Sequence, residues 1–254
     1  MSAFDWKSQV VVVTGASAGI GASLARELGK RGASVVLAAR RADKLAQVAS
    51  ESGPAALAVP TDVTNRQDVA RLAAAAQERF GHVDVWVNNA GRGITRHLLD
   101  LSDDDVDQMI RDNVKSVLYG MQVIVPHFKD RRRGHLVNVS SMLGRIPFAP
   151  FRSAYSAAKA AMGSLTETMR MDLSNGYPDI RVTCVYPGVV TTDFGSNALG
   201  GGPDSRSFPG AQSPEDVANV IADVIEQRRG GDVYTRPDAD ERVVGHLRAL
   251  ASAS

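Results

Sequence analysis

Short, almost unbroken apolar runs alternate along this chain with longer segments of helical periodicity, and no other feature limits its fold as much. "QVVVVTG" precedes "GIGASLARELGKRG", and "SVVLAAR" precedes "RADKLAQVASES". "AALAVPTD" precedes "NRQDVARLAAAAQERFG", and "VDVWVNNAG" precedes "SDDDVDQMIRDNVKSVLYGMQVIVPHF". "GHLVNVSS", "IRVTCVYPG" and "DVYTRP" continue the series, the first two again followed by helical patterns. Runs that are apolar at successive positions, without a polar residue at every second one, suit strands covered on both faces. Strand and helix in strict alternation imply right-handed crossovers and a parallel sheet wound in two directions.

The length agrees, since 254 residues suffice to bury a sizeable core and fall within the range of one α/β domain. No internal repeat or Pro/Ser-rich linker divides the sequence. The expected fold is therefore α/β: a single-domain, Rossmann-type, doubly wound parallel sheet of about seven strands flanked by helices, spanning residues 1–254. One stretch breaks the pattern: "GSNALGGGPDSRSFPGAQS" holds five Gly and two Pro in nineteen residues. A flexible substrate loop is expected around 193–212.

Charge and cysteine usage narrow the function. A formal net charge of +1 gives no electrostatic basis for binding nucleic acid or an anionic membrane. The basic run Arg131–Arg133 reads as a solvated turn before a strand. The start "MSAFDWKSQVVVV" lacks a signal-peptide layout, and no apolar stretch reaches the roughly 18 residues a membrane helix needs. The lone Cys184 has no disulfide partner within the chain and reads as a small buried hydrophobe. A soluble, cytoplasmic protein is expected, without a metal site.

The first strand runs into "TGASAGIG" (14–21), which opens the first helix. Gly15, Gly19 and Gly21 allow a tight turn and a close backbone approach to a pyrophosphate, which would sit on the helix N-terminus. The spacing is T-G-x-x-x-G-I-G rather than G-x-G-x-x-G. At the end of the second strand, an acidic residue would bond a ribose 2′-hydroxyl, whereas arginine accommodates a 2′-phosphate. Ala39 stands where the acid would be, and Arg40 and Arg41 follow. NADP(H) is the expected cofactor, with Ser17 offering a further hydroxyl to its phosphate. Further along, "SAYSAAKAAM" (153–162) places Tyr155 and Lys159 four residues apart, on one face of a helix.

These motifs, in this order, resemble the short-chain dehydrogenase/reductase family. The resemblance runs from residue 8 to about 194 and adds "TDV" (61–63), "NNAG" (88–91), Asn113 in "RDNVKS", "VNVSS" (137–141) and "YPGVVTTD" (186–193). It implies that Asp62 and Val63 flank an adenine and that Asn89, with Ala90 and Gly91, lies by the adenine-side ribose. It places Ile20 with the phosphate turn. Pro187, Gly188, Val190 and Thr192 would hold the nicotinamide carboxamide. The implied catalytic set is Asn113, Ser141, Tyr155 and Lys159, the last two also touching the cofactor. The family's serine commonly stands thirteen residues before the tyrosine, which falls here on Met142; Ser141 is the nearer match to the following "xxG", with Ser140 as runner-up. The frequent "VDGG"-like ending of the family is replaced by "GDVYTRPDADERVVGHLRALASAS". A homodimer or homotetramer is the implied assembly.

Hydride transfer belongs to the cofactor, and the protein must orient it and supply a proton. A phenol that titrates near pH 10 is a poor acid, and the ammonium of Lys159 is expected to lower its pKa. Ser141 is expected to hydrogen-bond the substrate oxygen, and the Asn113 amide to hold a water linking Lys159 to solvent. The reaction implied is reduction of a carbonyl, or oxidation of a secondary alcohol. The expected pocket comprises 142–151, 91–97 and the 193–212 loop, where Ile146, Phe148, Phe151, Phe194 and Leu199 favour a hydrophobic ketone or aldehyde. The alternatives are an NAD-dependent alcohol dehydrogenase with the same site, or a cofactor-binding regulator without turnover.

Overall fold

The computed structural model describes residues 4–252; the ends of the expected 1–254 span, 1–3 and 253–254, lie outside the described residues. Seven strands form one sheet in the order β3-β2-β1-β4-β5-β6-β7. They are β1 (Val10–Thr14), β2 (Ser34–Ala39), β3 (Ala56–Pro60), β4 (Val85–Asn88), β5 (Gly134–Val139), β6 (Ile180–Tyr186) and β7 (Gly231–Tyr234). Every pairing is parallel, with Val12 opposite Val36 on one side and opposite Trp86 on the other.

The helices are α1 (Gly19–Arg31), α2 (Ala42–Glu51), α3 (Arg66–Phe80), α4 (Asp103–Ile110), α5 (Ser116–Asp130), α6 (Ser153–Ser174), α7 (Pro214–Glu226) and α8 (Ala239–Ser252). Alternate residues of β1 show how both sheet faces are covered. Val11 and Val13 join a core with Leu24 and Leu28 of α1 and Ile221 and Ile225 of α7. Val10 and Val12 join the opposite core with Leu72 of α3, Ile124 and Phe128 of α5 and Met162 of α6. All five β1 residues are buried, which explains why polar alternation is missing from the strand sequences.

The order reverses between β1 and β4, and there the carboxyl ends of the strands leave a crevice. Thr14 fastens the two edges of it: its hydroxyl donates to the Val87 carbonyl at 3.2 Å and accepts from the Asn89 and Ala90 amides at 3.0 and 3.1 Å. A second polar thread crosses beneath. Trp86 Nε1 donates to Asn88, Asn88 Nδ2 to Asn138, and Asn138 Nδ2 to Thr166 on α6, each at 2.8–2.9 Å. Each of these buried polar atoms has a partner, and the bonds tie β4, β5 and α6 together.

The α4–α5 region is nearly one helix. Between its halves, Arg111–Lys115 form a π turn, in which the Ser116 amide donates to the Arg111 carbonyl five residues back. The 193–212 loop makes contacts with the body of the domain and within itself. Leu199 forms a parallel bridge with Ile94, and Val190 one with Gln212. Asp193 and Arg206 pair at 2.8 Å. Among the described residues no helix is long and apolar enough to cross a membrane.

Candidate active site

The crevice begins at the Gly-rich turn. Gly15 and Gly19 have φ of +70° and +54°, a conformation that costs a side-chain-bearing residue strain. A Cβ on Gly21 would lie 2.4 Å from the Gly15 carbonyl oxygen, so the turn is also too tight for any larger residue there. Ala18 at the N-cap of α1 contributes no side-chain hydrogen bond. The first amides of α1 are thus left free of a protein cap and carry the positive end of the helix dipole, as a pyrophosphate requires. Ile20 packs against the adjoining core.

Beside the turn, Arg41 Nη2 donates to the Ser17 hydroxyl at 3.0 Å. Arg40 is exposed at the end of β2. The charges of Arg41 and Lys44 also reach Asp193, whose carboxyl is held below its usual range first by the hydrogen bond from Arg206. These residues fit the ribose end of a dinucleotide: three cations gather where no strand-end carboxylate intervenes.

Other expected cofactor residues serve the architecture directly. The Asp62 carboxylate accepts from the amide and hydroxyl of Thr64 at 2.9 and 2.8 Å, shaping the turn after β3. Val63 and Ala90 line a small crevice with Thr14 and Asn88. The Asn89 amide donates to the Thr14 carbonyl at 2.9 Å and lies against Gly15 and Gly21. Through that donor its side chain braces the phosphate turn. The Pro187 carbonyl accepts from Met142 at 2.9 Å, and Gly188 packs on the Arg236 side chain. Thr192 crosses back to the turn, its methyl 3.1 Å from where a Gly19 Cβ would stand.

The proposed chemical residues converge at the carboxyl ends of β4 and β5. Tyr155 and Lys159 are both buried on α6. Lys159 Nζ donates to the Val139 carbonyl at 2.9 Å and lies 5.7 Å from the Tyr155 ring centroid. Asn113 is wholly buried and is aimed by the π turn at Gly91: a Cβ there would stand 2.8 Å from Asn113 Oδ1 and 3.4 Å from Lys159 Nζ. A glycine at 91 is what lets these groups approach.

The two candidate serines separate cleanly. The Ser140 hydroxyl is buried and donates to the Lys159 carbonyl at 3.0 Å, whereas the Ser141 hydroxyl accepts from the Leu143 amide at 3.2 Å and its side chain pulls the Tyr155 pKa down.

Two expectations are corrected here. Burial pushes the Tyr155 phenol up to about 12, outweighing the Ser141 hydrogen bond and the Arg152 charge, which pull it down. Burial also brings the Lys159 ammonium down to about 8, and its Nζ is turned to the Val139 carbonyl. The Asn113 amide is not free to hold a water either: it accepts from the Arg92 amide at 3.2 Å and donates to the carbonyls of Arg92 and Met109 at 2.9 and 3.2 Å.

The expected pocket is also redrawn. Met142 and Ile146 pack under α8 with Cys184, Tyr186 and Val243, away from the crevice. Phe194, by contrast, lays its ring 5.4 Å from that of Tyr155. A recess of about 580 Å³ opens beside Ser153 and Ser156, walled by His97–Asp100, Pro147, Ala149 and Pro150. Thr14 and Gln212 were not apparent as site residues. Gln212 clasps the lid by exchanging hydrogen bonds with Thr235 at 2.6 and 2.9 Å. Their partners are remote in sequence, so no spacing signalled them.

A glycine-lined helix terminus at the switch point, beside Ser141 and the buried Tyr155 and Lys159, defines an oxidoreductase that uses a nicotinamide dinucleotide. The family model described as short chain dehydrogenase matches residues 9–199. The chain is 34% identical over 220 residues to an uncharacterized oxidoreductase of Staphylococcus aureus strain MW2, covering 86% of this chain and 91% of that protein. Among solved structures it resembles a short chain dehydrogenase/reductase from Burkholderia phymatum in complex with NAD, with a TM-score of 0.89, 28% identity and coverage of 100% and 97% of the two chains. It also resembles an alcohol dehydrogenase from Thermococcus sibiricus complexed with 5-hydroxy-NADP, with a TM-score of 0.77, 29% identity and coverage of 89% and 95%. The chain belongs to the short chain dehydrogenase family.

Proposed function

We propose that this protein is an NADP(H)-dependent oxidoreductase that interconverts a carbonyl compound and its alcohol, acting on a ketone or aldehyde with a hydrophobic body. The carrying observation is the buried Tyr155–Lys159 pair at the crevice, with Lys159 Nζ 5.7 Å and the Phe194 ring 5.4 Å from the Tyr155 ring. NADP(H), when bound, supplies or accepts the hydride. The amides at the start of α1, with Gly15, Gly19 and Gly21, would hold its pyrophosphate, and Arg40, Arg41 and Ser17 its 2′-phosphate. Asp62, Val63, Asn89, Ala90 and Gly91 line the adenine side or brace it. Pro187, Gly188, Val190 and Thr192 frame the nicotinamide side.

The catalytic group is Asn113, Ser141, Tyr155 and Lys159. Tyr155 is protonated throughout the neutral range and donates its hydroxyl proton to the substrate oxygen as that oxygen gains charge. Ser141 supplies a second hydrogen bond to the same oxygen. Lys159 is held by the Val139 carbonyl one helical turn from Tyr155, and Asn113 fixes Gly91–Arg92 against it. Phe194 excludes water from the Tyr155 ring face.

The cofactor preference rests on Ala39 followed by two arginines; the S. aureus relative leaves that preference open, and the two solved relatives carry NAD and an NADP derivative. A homodimer or homotetramer in the cytoplasm is also proposed, supported by the buried free Cys184 and the exposed Met171 on α6. The test is NADPH absorbance loss with a panel of ketones and aldehydes, wild type beside Tyr155→Phe. Turnover that falls at least a hundredfold in the variant is expected. Undiminished turnover would remove Tyr155 from the role of acid.

A further inference from the structure

Arg152 occupies the N-cap of α6, three residues before Tyr155 and on the same helix face. It is 92% buried, with a relative exposure of 8%. Its side chain makes one hydrogen bond among the described residues, from Nη1 to the Ile94 carbonyl at 3.2 Å, and no carboxylate pairs with it. Nε and Nη2 have no acceptor among the described residues and keep some contact with solvent. A guanidinium keeps its proton in proteins, so it cannot escape burial by becoming neutral. A buried cation with donors to spare and no counter-anion is costly to keep, and one that lies beside reacting groups calls for an anion from outside.

A buried polar atom points to the same place. Thr95 Oγ1 has no hydrogen-bond partner. Both atoms surround Gly202 in the lid: a Cβ there would stand 2.8 Å from Thr95 Oγ1 and 3.0 Å from Arg152 Nη2. The two unpartnered groups are thus at most about 6 Å apart. A Cβ on Gly93 would meet Phe194 at 2.9 Å and Arg152 Nη1 at 3.0 Å, so the same niche abuts the ring that covers Tyr155. The Arg152 charge is felt at the Tyr155 hydroxyl. Glycine at 93 and 202 leaves the cation room.

We propose that Arg152 and Thr95 form a carboxylate-binding site beside Tyr155, and that the substrate is an oxo acid or hydroxy acid with an apolar body. One guanidinium and one hydroxyl match the two oxygens and single charge of a carboxylate; a phosphate dianion calls for more positive charge than this niche offers. Phe194 and Phe151, whose ring lies 5.7 Å from the Arg152 guanidinium carbon, supply apolar walls. This assignment rests on the reading of the crevice as a carbonyl-reducing site and names what that site selects.

The test uses two unreactive probes of one shape, benzoate and benzamide, titrated calorimetrically into the full-length protein with and without NADPH. Benzoate is expected to bind the wild type about tenfold or more tightly than benzamide, the range of a charge-assisted hydrogen bond. Arg152→Gln is expected to bring that ratio to about one, and Arg152→Lys to retain part of it. Thr95→Val, which keeps the side-chain volume, is expected to reduce the ratio several-fold. Equal or undetectable binding of the two probes by the wild type overturns the proposal, as does a ratio that survives Arg152→Gln. If Arg152→Gln does not fold, the wild-type ratio and Thr95→Val still decide. The readout requires no turnover: a benzoate preference in a protein that reduces no carbonyl overturns the reductase reading and leaves the carboxylate site standing.

Discussion

The Ser140 hydroxyl donates to the carbonyl of Lys159, while the residue before Ser140, Val139, accepts from the Lys159 ammonium. Two bonds of opposite sense thus clamp the end of β5 to α6 at the residue that carries the positive charge. Ser140→Ala is expected to cost about 1 kcal/mol of stability. It should lower kcat only several-fold, through displacement of Lys159. Ser141→Ala is expected to lower kcat about a hundredfold with little change in unfolding. Steady-state kinetics and thermal unfolding of both variants, measured together, check this; the reverse pattern would exchange the two serines' roles.

Lys159 gives a pH signature. Its ammonium titrates near 8 in the folded protein and near 10.5 when unfolded. Between those values the unfolded chain holds one more proton, so stability rises with pH by about 1.4 kcal/mol per unit from this group alone. The wild type should therefore gain on Lys159→Met over that window, and the variant should be inactive throughout. Denaturant unfolding of both at a series of pH values measures the difference, which cancels the shared titration of other groups. A flat difference would mean that Lys159 is not desolvated.

His135 acts at the other end of the scale. It is fully buried on β5, and burial, reinforced by Arg228 and Arg181, takes its pKa from 6.5 to about 3. Thr183 donates its hydroxyl to the Arg229 carbonyl, so His135 Nε2 donates to Thr183 Oγ1 at 2.8 Å and the ring is neutral. Because the unfolded chain takes up a proton that the native ring refuses, stability falls as pH drops from 6.5 towards 3, by about 1.4 kcal/mol per unit. His135→Gln should shed this part of the acid sensitivity. Parallel acid titrations that coincide for wild type and variant would refute it.

Cofactor choice can be inverted at the end of β2. Arg40→Asp removes a cation and places a carboxylate where it would repel a 2′-phosphate and accept a ribose hydroxyl. The kcat/KM ratio of NADPH to NADH should fall at least tenfold, and further in Arg40→Asp/Arg41→Ala, which also releases Ser17. An unchanged ratio would assign the preference to other residues.

The layer architecture was legible because buried parallel strands leave an unmistakable mark: "QVVVVT" has no polar position to spare for solvent. The strand–turn–helix at Gly15–Gly21 was legible for a similar reason, since its glycines answer local demands of φ and space. What the sequence hid were relations between distant segments. Asn89 is bound to Thr14, 75 residues away, and Arg152 lies against Ile94 and Gly202. The sign of the Tyr155 shift was hidden too, because burial depends on what the lid and Phe194 cover. Met142 and Ile146 were placed in the pocket by proximity along the chain, but α8 offered them a better-shielded apolar partner.

The π turn at Arg111–Lys115 has a consequence for how this helix is counted. An α-helix closes its ring over four residues, and here one ring spans five. Deleting a single residue from that stretch would restore a regular ladder and improve the helix by every local measure. It would also swing Asn113 about 100° around the axis, away from Gly91 and Lys159, because each helical residue turns by that angle. The surplus residue works as a tally mark: an irregularity one residue long sets the phase between two otherwise ordinary helices.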